Sequence, residues 1–392
     1  MGKFVNFRVE VARMKSWSAG MTVVLVLALV GRAYAQGRQG AAPPKPPSAG
    51  EFFKNVTTTS LKGLSVDDFL ETMGVISADL SYDCSNCHPG AGTDKVDFVF
   101  DTPLKKTARK MIEMVATINS ANFNGAQLVT CYTCHQRNDL PVTTIALDKL
   151  YGPPNEDQRD ILPPAKGAPA ATRILDKYIE AVGGAQRLAG LNSFIATGTS
   201  LGYGGLGGGG SFQIFAKAPN QRAVVIEFKD SPERGGSTRA FNGAAGWIKA
   251  PRGFLNDYEV IGNELDGERL DAQMSFPGQI KQVLTNWRVS FPDNVNGHEV
   301  NVVQGSGPRG LLATLYFDKT SGLLTRVVRL VPSPVGRMPT QADFDDYREV
   351  DGIKFPFLYT YSWLDGKDSF RLNDVKVNVP IEPAKFAKPP AR

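Results

Sequence analysis

Four cysteines and three histidines occur in the 392 residues, and six of these seven fall into two short motifs. They are Cys84-Ser-Asn-Cys87-His88 and Cys131-Tyr-Thr-Cys134-His135. Two thiols three positions apart reach both vinyl groups of one haem and form thioethers, and the histidine that follows is then held beneath the iron as an axial ligand. Two such motifs predict two covalently bound haem c groups. Cys84, Cys87, Cys131 and Cys134 would be the attachment points, and His88 and His135 the iron ligands. Two other chemistries use the same cysteines. Zinc sites built on Cys-x-x-Cys usually place their pairs ~15–20 residues apart, whereas 43 residues separate Cys87 from Cys131 here. A pair of disulfides would suit an exported chain. Neither accounts for a histidine directly after both pairs.

The elements that must position these motifs can be read upstream of each. Ser65-Val-Asp-Asp68 opens one helix as a variant capping box, and Phe69, Met73 and Ile76 follow at helical spacing. Thr102-Pro103 opens a second helix, with proline at the first helical position. Its apolar stripe is Leu104, Ala108, Met111, Val115 and Ile118. At ~100° per residue Met111 lies near the middle of that stripe and Met114 roughly 60° to one side. Met73 precedes Cys84 by 11 residues, Met111 precedes Cys131 by 20, and the two units repeat at 47. A thioether opposite the histidine gives six-coordinate iron with a raised reduction potential. Met73 and Met111 are therefore the expected second axial ligands, with Met114 as the alternative to Met111. Plain core packing is the competing reading of any methionine on an apolar stripe.

Residues 50–150 resemble the cytochrome subunit of photosynthetic reaction centres, in its two-haem half. The resemblance is carried by Gly63-Leu-Ser65 ahead of the Met73 helix, by Ala108-Arg-Lys-Met111-Ile-Glu-Met114 with Ile118-Asn119, and by Val129-Thr-Cys-Tyr-Thr-Cys-His-Gln-Arg137. It implies electron transfer, and it assigns the first methionine of the second helix, Met111, as the ligand. The family's subunit carries four haems, and this chain has two motifs. Where the family places a cross-ligating histidine eight residues before the second motif, this chain has Phe123. The resemblance thus implies two haems served from this chain and no role in photosynthesis.

Hydrophobic residues at 42% and charged residues at 21% suit a soluble globular chain and argue against disorder or a polytopic membrane protein. Residues 1–35 hold five basic residues and one acidic, so most of the net charge of +5 lies there and the rest is close to neutral. No basic face for nucleic acid is implied. That first segment reads as a secretory signal, with basic residues, the apolar run Met21–Val30 and Ala33-Tyr-Ala35 before a cut at Gln36. An uncleaved anchor is the alternative. The mature protein is expected in the periplasm or outside the cell. A Pro-rich linker spans 36–50, the haem domain 51–150, and a second loop-rich linker 151–170.

From 171 to 392 the pattern turns to β, after an amphipathic helix at Thr172–Val182 that stops at Gly183-Gly184. Strands are expected at 193–198, 212–216, 223–228, 311–317, 323–330, 354–363 and 369–379. Turns are expected at Asp351-Gly352, Asp365-Gly366, Asn242-Gly243, Asn296-Gly297 and 318–322. The predicted fold class is multidomain: a mainly-α dihaem cytochrome c domain followed by an antiparallel α+β domain with a curved sheet or half-barrel. The order of elements resembles the periplasmic lipoprotein-carrier fold, which implies a concave sheet over an apolar cavity. The glycine-rich stretch 202–210 lacks the Lys-Ser/Thr ending of a phosphate loop and reads as a flexible hairpin loop. Phe355, Phe357, Tyr359, Tyr361 and Trp363 alternate onto one face, as core or as a cavity lining.

Two functions compete. Two six-coordinate haems make an electron carrier with no catalytic residue, working between an unidentified redox donor and acceptor. A haem enzyme such as a dihaem peroxidase would need an open distal position lined by polar groups. The one remaining histidine, His298, sits beside a turn signal in the β region, where a surface position is expected. A third reading makes the β domain a binder of an apolar ligand or a membrane-associated complex, with the electron-transfer domain attached.

Overall fold

The computed structural model describes residues 45–93, 95–152, 160–202, 209–228, 235–251, 257–364 and 366–390. The expected signal, most of the Pro-rich linker, the middle of the glycine-rich stretch, Asp365 and part of the second linker lie outside the described residues.

The helical segment comprises α1 (Ala49–Phe52), α2 (Thr59–Lys62), α3 (Val66–Leu80), α4 (Cys84–Cys87), α5 (Pro103–Phe123), α6 (Cys131–His135) and α7 (Leu147–Leu150). The two long helices start as their caps dictate. Ser65 Oγ accepts from the Asp68 amide at 3.0 Å, and Thr102 Oγ1 accepts from the Lys105 amide at 3.2 Å ahead of Pro103.

The expected stripes are displaced. On α3, the buried residues are Val66, Asp67, Asp68, Thr72, Gly74 and Val75, while Phe69, Met73 and Ile76 are only partly buried against the core. On α5, the buried face is Ile112, Val115 and Asn119. Met111 lies on its flank, half-buried, and not at its centre. In both helices a polar side chain takes a buried place because a partner awaits it, and hydropathy alone cannot show that.

The β region opens with α8 (Ala171–Ala181) and α9 (Ala185–Ala189) and carries one long helix, α10 (Gly262–Met274). Its strands are β1 (Ser193–Ser200), β2 (Gly210–Lys217), β3 (Gln221–Phe228), β4 (Gly236–Phe241), β5 (Gly246–Lys249), β6 (Tyr258–Val260), β7 (Thr285–Val289), β8 (Asp293–Val295), β9 (His298–Ser306), β10 (Leu312–Asp318), β11 (Leu324–Pro332), β12 (Arg337–Val350), β13 (Ile353–Trp363) and β14 (Gly366–Val377).

They form one antiparallel sheet of order β6-β5-β4-β3-β2-β1-β14-β13-β12-β11-β10-β9-β7, with β8 paired to β9. β1 and β14 meet in the middle, so two meanders are zipped into one sheet. Asp351-Gly352 and Asn296-Gly297 turn their hairpins with both residues at positive φ, as a two-residue turn requires. Asn242 Oδ1 accepts from the Ala244 and Ala245 amides, so that turn closes through its side chain.

The sheet is strongly curved around α10. Arg239 on β4 and Arg329 on β11 both bond Glu264 of that helix, although their strands are far apart in the sheet order. The aromatic row of β13 is core at its first half. Phe355 packs on Phe194 at 5.4 Å, and Tyr359 stacks on Phe370 at 5.0 Å.

The main hydrophobic core takes in Leu61, Val75 and Ile112 of the helical segment together with the sheet and α8, and two smaller clusters lie around Phe215 and Phe386 and around Val295 and Val302. Among the described residues no helix is long and apolar enough to cross a membrane.

Candidate functional site

Each Cys-x-x-Cys-His motif is a short helix with a capped start. Asp83 accepts from the Ser85 amide at 2.7 Å at the head of α4. At the head of α6, Thr130 accepts from the Thr133 amide at 3.4 Å and donates its own amide to Thr133 Oγ1 at 3.0 Å. Helical winding puts cysteines three apart on the same face. None of the four cysteines is in a disulfide; Cys84 is exposed and the other three are half-buried. Burial pushes the Cys131 thiol up to about 12 and the Cys87 thiol above its usual range. Among the described residues, no three His, Cys, Asp or Glu side chains converge as a metal-ion site, so the two cysteine pairs do not meet as a zinc tetrahedron would demand.

The histidines differ. His135 Nδ1 donates to the Asn138 carbonyl at 3.0 Å, which fixes the ring and leaves Nε2 as the free acceptor. His88 packs edge-on against Phe98 at 5.1 Å, and its Nδ1 is buried without a hydrogen-bond partner. Burial holds the His88 ring below its usual pKa, so it is a neutral base. A neutral imidazole is what iron ligation requires.

The donor set and its surroundings fit a thioether-bound haem at each motif. The flank of α5 that carries Met111 also carries Leu104, Met114 and Ile118, and Leu104 and Met114 are 40% and 42% exposed. This is an apolar helix face that the described protein atoms leave uncovered.

The two units interlock. α3, the Met73 helix, packs against α6. The Arg137 amide donates to the Asp79 carbonyl at 2.9 Å, and Ser81 Oγ donates to the Arg137 carbonyl at 2.8 Å. α4 packs against α5, and Thr102 Oγ1 donates to the Cys87 carbonyl at 3.2 Å. The β region also holds the second motif. The Cys131 amide donates to the Val335 carbonyl in the β11–β12 turn at 3.2 Å, and Gln127 Nε2 donates to the Ser333 carbonyl.

Behind α3 lies a charge cluster that sequence reading missed. Glu264, Arg329, Glu268 and Asp67 are buried, and Tyr258 donates to Asp67 Oδ1 at 2.7 Å. Burial pushes Asp67 up to about 7 and Asp68 to about 6. Burial alone would raise Glu264 too, but Arg329 and Arg239 outweigh it and hold that carboxyl below its usual range. No local pattern announces this cluster, because its members come from α3, α10, β4, β6 and β11. His298 stands on the β8–β9 hairpin with a side chain 70% exposed, near Asp318, as the turn reading expected.

Two haem-type motifs on interlocked helices, docked on a curved antiparallel sheet, define a cytochrome c-like segment joined to a β module. Comparison with known proteins agrees for the first part. Residues 28–161 match the family described as photosynthetic reaction centre cytochrome C subunit. The photosynthetic reaction center cytochrome c subunit of Thermochromatium tepidum is 37% identical over 106 residues, which cover 26% of this chain and 24% of that protein. The chain thus spans about a quarter of the length of that relative.

Among solved structures, a DUF1329 family protein from Desulfovibrio piger aligns with a TM-score of 0.41 at 12% identity, covering 56% of this chain and 98% of its own. A LolA superfamily protein from Nitrosomonas europaea aligns with a TM-score of 0.38 at 13% identity, covering 56% and 99%.

Proposed function

We propose that the protein is an exported dihaem c-type cytochrome that passes single electrons between redox partners. The observation that carries this reading is the pair of Cys-x-x-Cys-His motifs, each with two cysteines outside any disulfide on one helical face and a histidine beside them, His135 oriented by the Asn138 carbonyl and His88 with an unpartnered Nδ1. A haem at each site would supply reversible one-electron chemistry.

The chain's own residues do the rest. Cys84, Cys87, Cys131 and Cys134 would tether the haems, and His88, His135, Met73 and Met111 would ligate the irons, with Met114 as the alternative to Met111. Asn138 holds the His135 ring in one tautomer through its carbonyl. The packing of α3 on α6 and of α4 on α5 joins the two sites through helices in contact, which would favour electron exchange between them. The likeness to a reaction-centre subunit supports a redox-protein donor and acceptor, and the export signal supports a periplasmic setting. No residue is assigned to acid–base catalysis.

Carbon monoxide distinguishes the carrier from a haem enzyme. The reduced protein should bind it poorly at both haems if both methionines ligate. Rapid, stoichiometric binding at one haem would favour a peroxidase-like site instead.

The β module is proposed as a docking or ligand-binding element. A cleft of about 440 Å³ lined by Ile179, Leu188, Leu191, Pro219 and Phe276 supports an apolar ligand there. A fluorescent fatty acyl probe that failed to bind the purified protein would remove that part of the reading.

A further inference from the structure

Asn119 is a polar side chain in a place where the helix pattern calls for an apolar one. It is 6% exposed, on the same buried face of α5 as Ile112 and Val115. Its carboxamide makes three hydrogen bonds, all to one segment. Nδ2 donates to the Val129 carbonyl at 2.7 Å, and Oδ1 accepts from the amides of Leu128 at 3.1 Å and Val129 at 3.0 Å. Two residues further on, Cys131 begins the second motif helix.

The side chain therefore does what a strand partner would do: it pairs with an extended segment and fixes its height along α5. Val335 of the β11–β12 turn grips the Cys131 amide from the other side. The first motif has a looser equivalent, the bond from Thr102 Oγ1 to the Cys87 carbonyl.

We propose that Asn119 is the positioning residue of the second haem site, setting the register between the α5 methionine and His135. This rests on the dihaem reading and deepens it. Three hydrogen bonds from one buried carboxamide tie the methionine helix to the chain entering the Cys131 motif. Without them the direct link from α5 to the second motif is the turn at 124–127, while Val335 and α3 hold the motif independently of α5, so methionine ligation would be lost before histidine ligation.

The test uses the mature holoprotein and three variants. N119A removes all three bonds. N119D keeps the oxygen that accepts from Leu128 and Val129 and loses the donor to Val129. N122A removes an exposed asparagine of the same helix whose Nδ2 donates only to the Ile118 carbonyl at 3.1 Å. The readouts are haem count per chain, the charge-transfer band of methionine-ligated ferric haem, and the two reduction potentials.

The expected result is that N119A loses the methionine band of one haem and lowers one potential. N119D does the same to a smaller degree, and N122A matches the wild type. Loss of the second haem alone in both Asn119 variants also supports the assignment. Either variant with two attached haems and wild-type potentials overturns it. So does loss of both haems, because the defect is then one of general folding. A wild-type protein that lacks the methionine band fails the dihaem Met/His reading itself and is thereby told apart.

Discussion

Asp67→Asn tests the buried charge cluster that binds the Met73 helix to the sheet. Asp67 is 7% exposed, accepts a hydrogen bond from Tyr258, and has its second oxygen buried without a partner. Burial is the largest cause of its rise to about 7, and Arg239 only partly offsets it. The sign follows from linkage. Between the ordinary carboxylate pKa and about 7, the folded protein keeps a proton that the unfolded chain has released, so stability falls as pH rises through that window.

One proton over about three pH units corresponds to ~4 kcal/mol at ~1.36 kcal/mol per unit, fully developed above about pH 7. Asparagine keeps an oxygen for Tyr258 and does not titrate. The unfolding free energy of D67N minus that of the wild type should therefore rise by ~4 kcal/mol between about pH 4 and pH 8. Urea titrations of the full chain at constant ionic strength, followed by tryptophan fluorescence, read this difference directly. Asp68 remains in both proteins and drops out of the comparison. A difference that stays flat across that range refutes the reasoning.

Replacing Glu264 by alanine leaves Arg329 buried without its carboxylate, and the loss should be ~3–5 kcal/mol in the same urea assay. Gly267→Ala puts a methyl where the Arg329 guanidinium crosses α10; it should destabilise the chain and add little to the Glu264→Ala defect when the two are combined. Met73→Ala should lower the first haem's potential, within the ~0.8 V range that axial ligands set, and leave the second nearly unchanged in a redox titration. The double variant C84A/C87A should halve the haem stain on a denaturing gel while the Cys131 site keeps its pigment.

The motifs were legible because covalent attachment demands fixed residue types at fixed spacing, and that demand does not depend on tertiary context. The caps at Ser65 and Thr102 were legible for the same local reason. Strands with apolar alternation, such as those expected at 212–216 and 323–330, lie within a few residues of β2 and β11.

The strands β4 to β9 were not expected, and three further features show why such elements escape a reading of the sequence. β12, Arg337–Val350, is the longest strand and reads as polar, because residues such as Asp343 and Arg348 find cross-strand or local partners instead of apolar burial. α10 buries Glu264, Asp266 and Glu268, so its buried face is acidic and its apolar period is nearly absent. The arginines that make this stable lie on β4 and β11, far away in sequence. The apolar stripe expected on α5 lies one flank away from its buried face, since Asn119 occupies a core position through bonds to the chain at 128–129.

Covalent haem is the claim on which the whole account stands, and one measurement addresses it most directly. The mature protein, expressed in a host competent for cytochrome maturation, is denatured, extracted with acidified organic solvent, and weighed by mass spectrometry. Two covalently bound haems should give a red chain that keeps its colour and whose mass exceeds that of the polypeptide by two haems. A colourless chain, or one whose pigment leaves with the solvent, would contradict it.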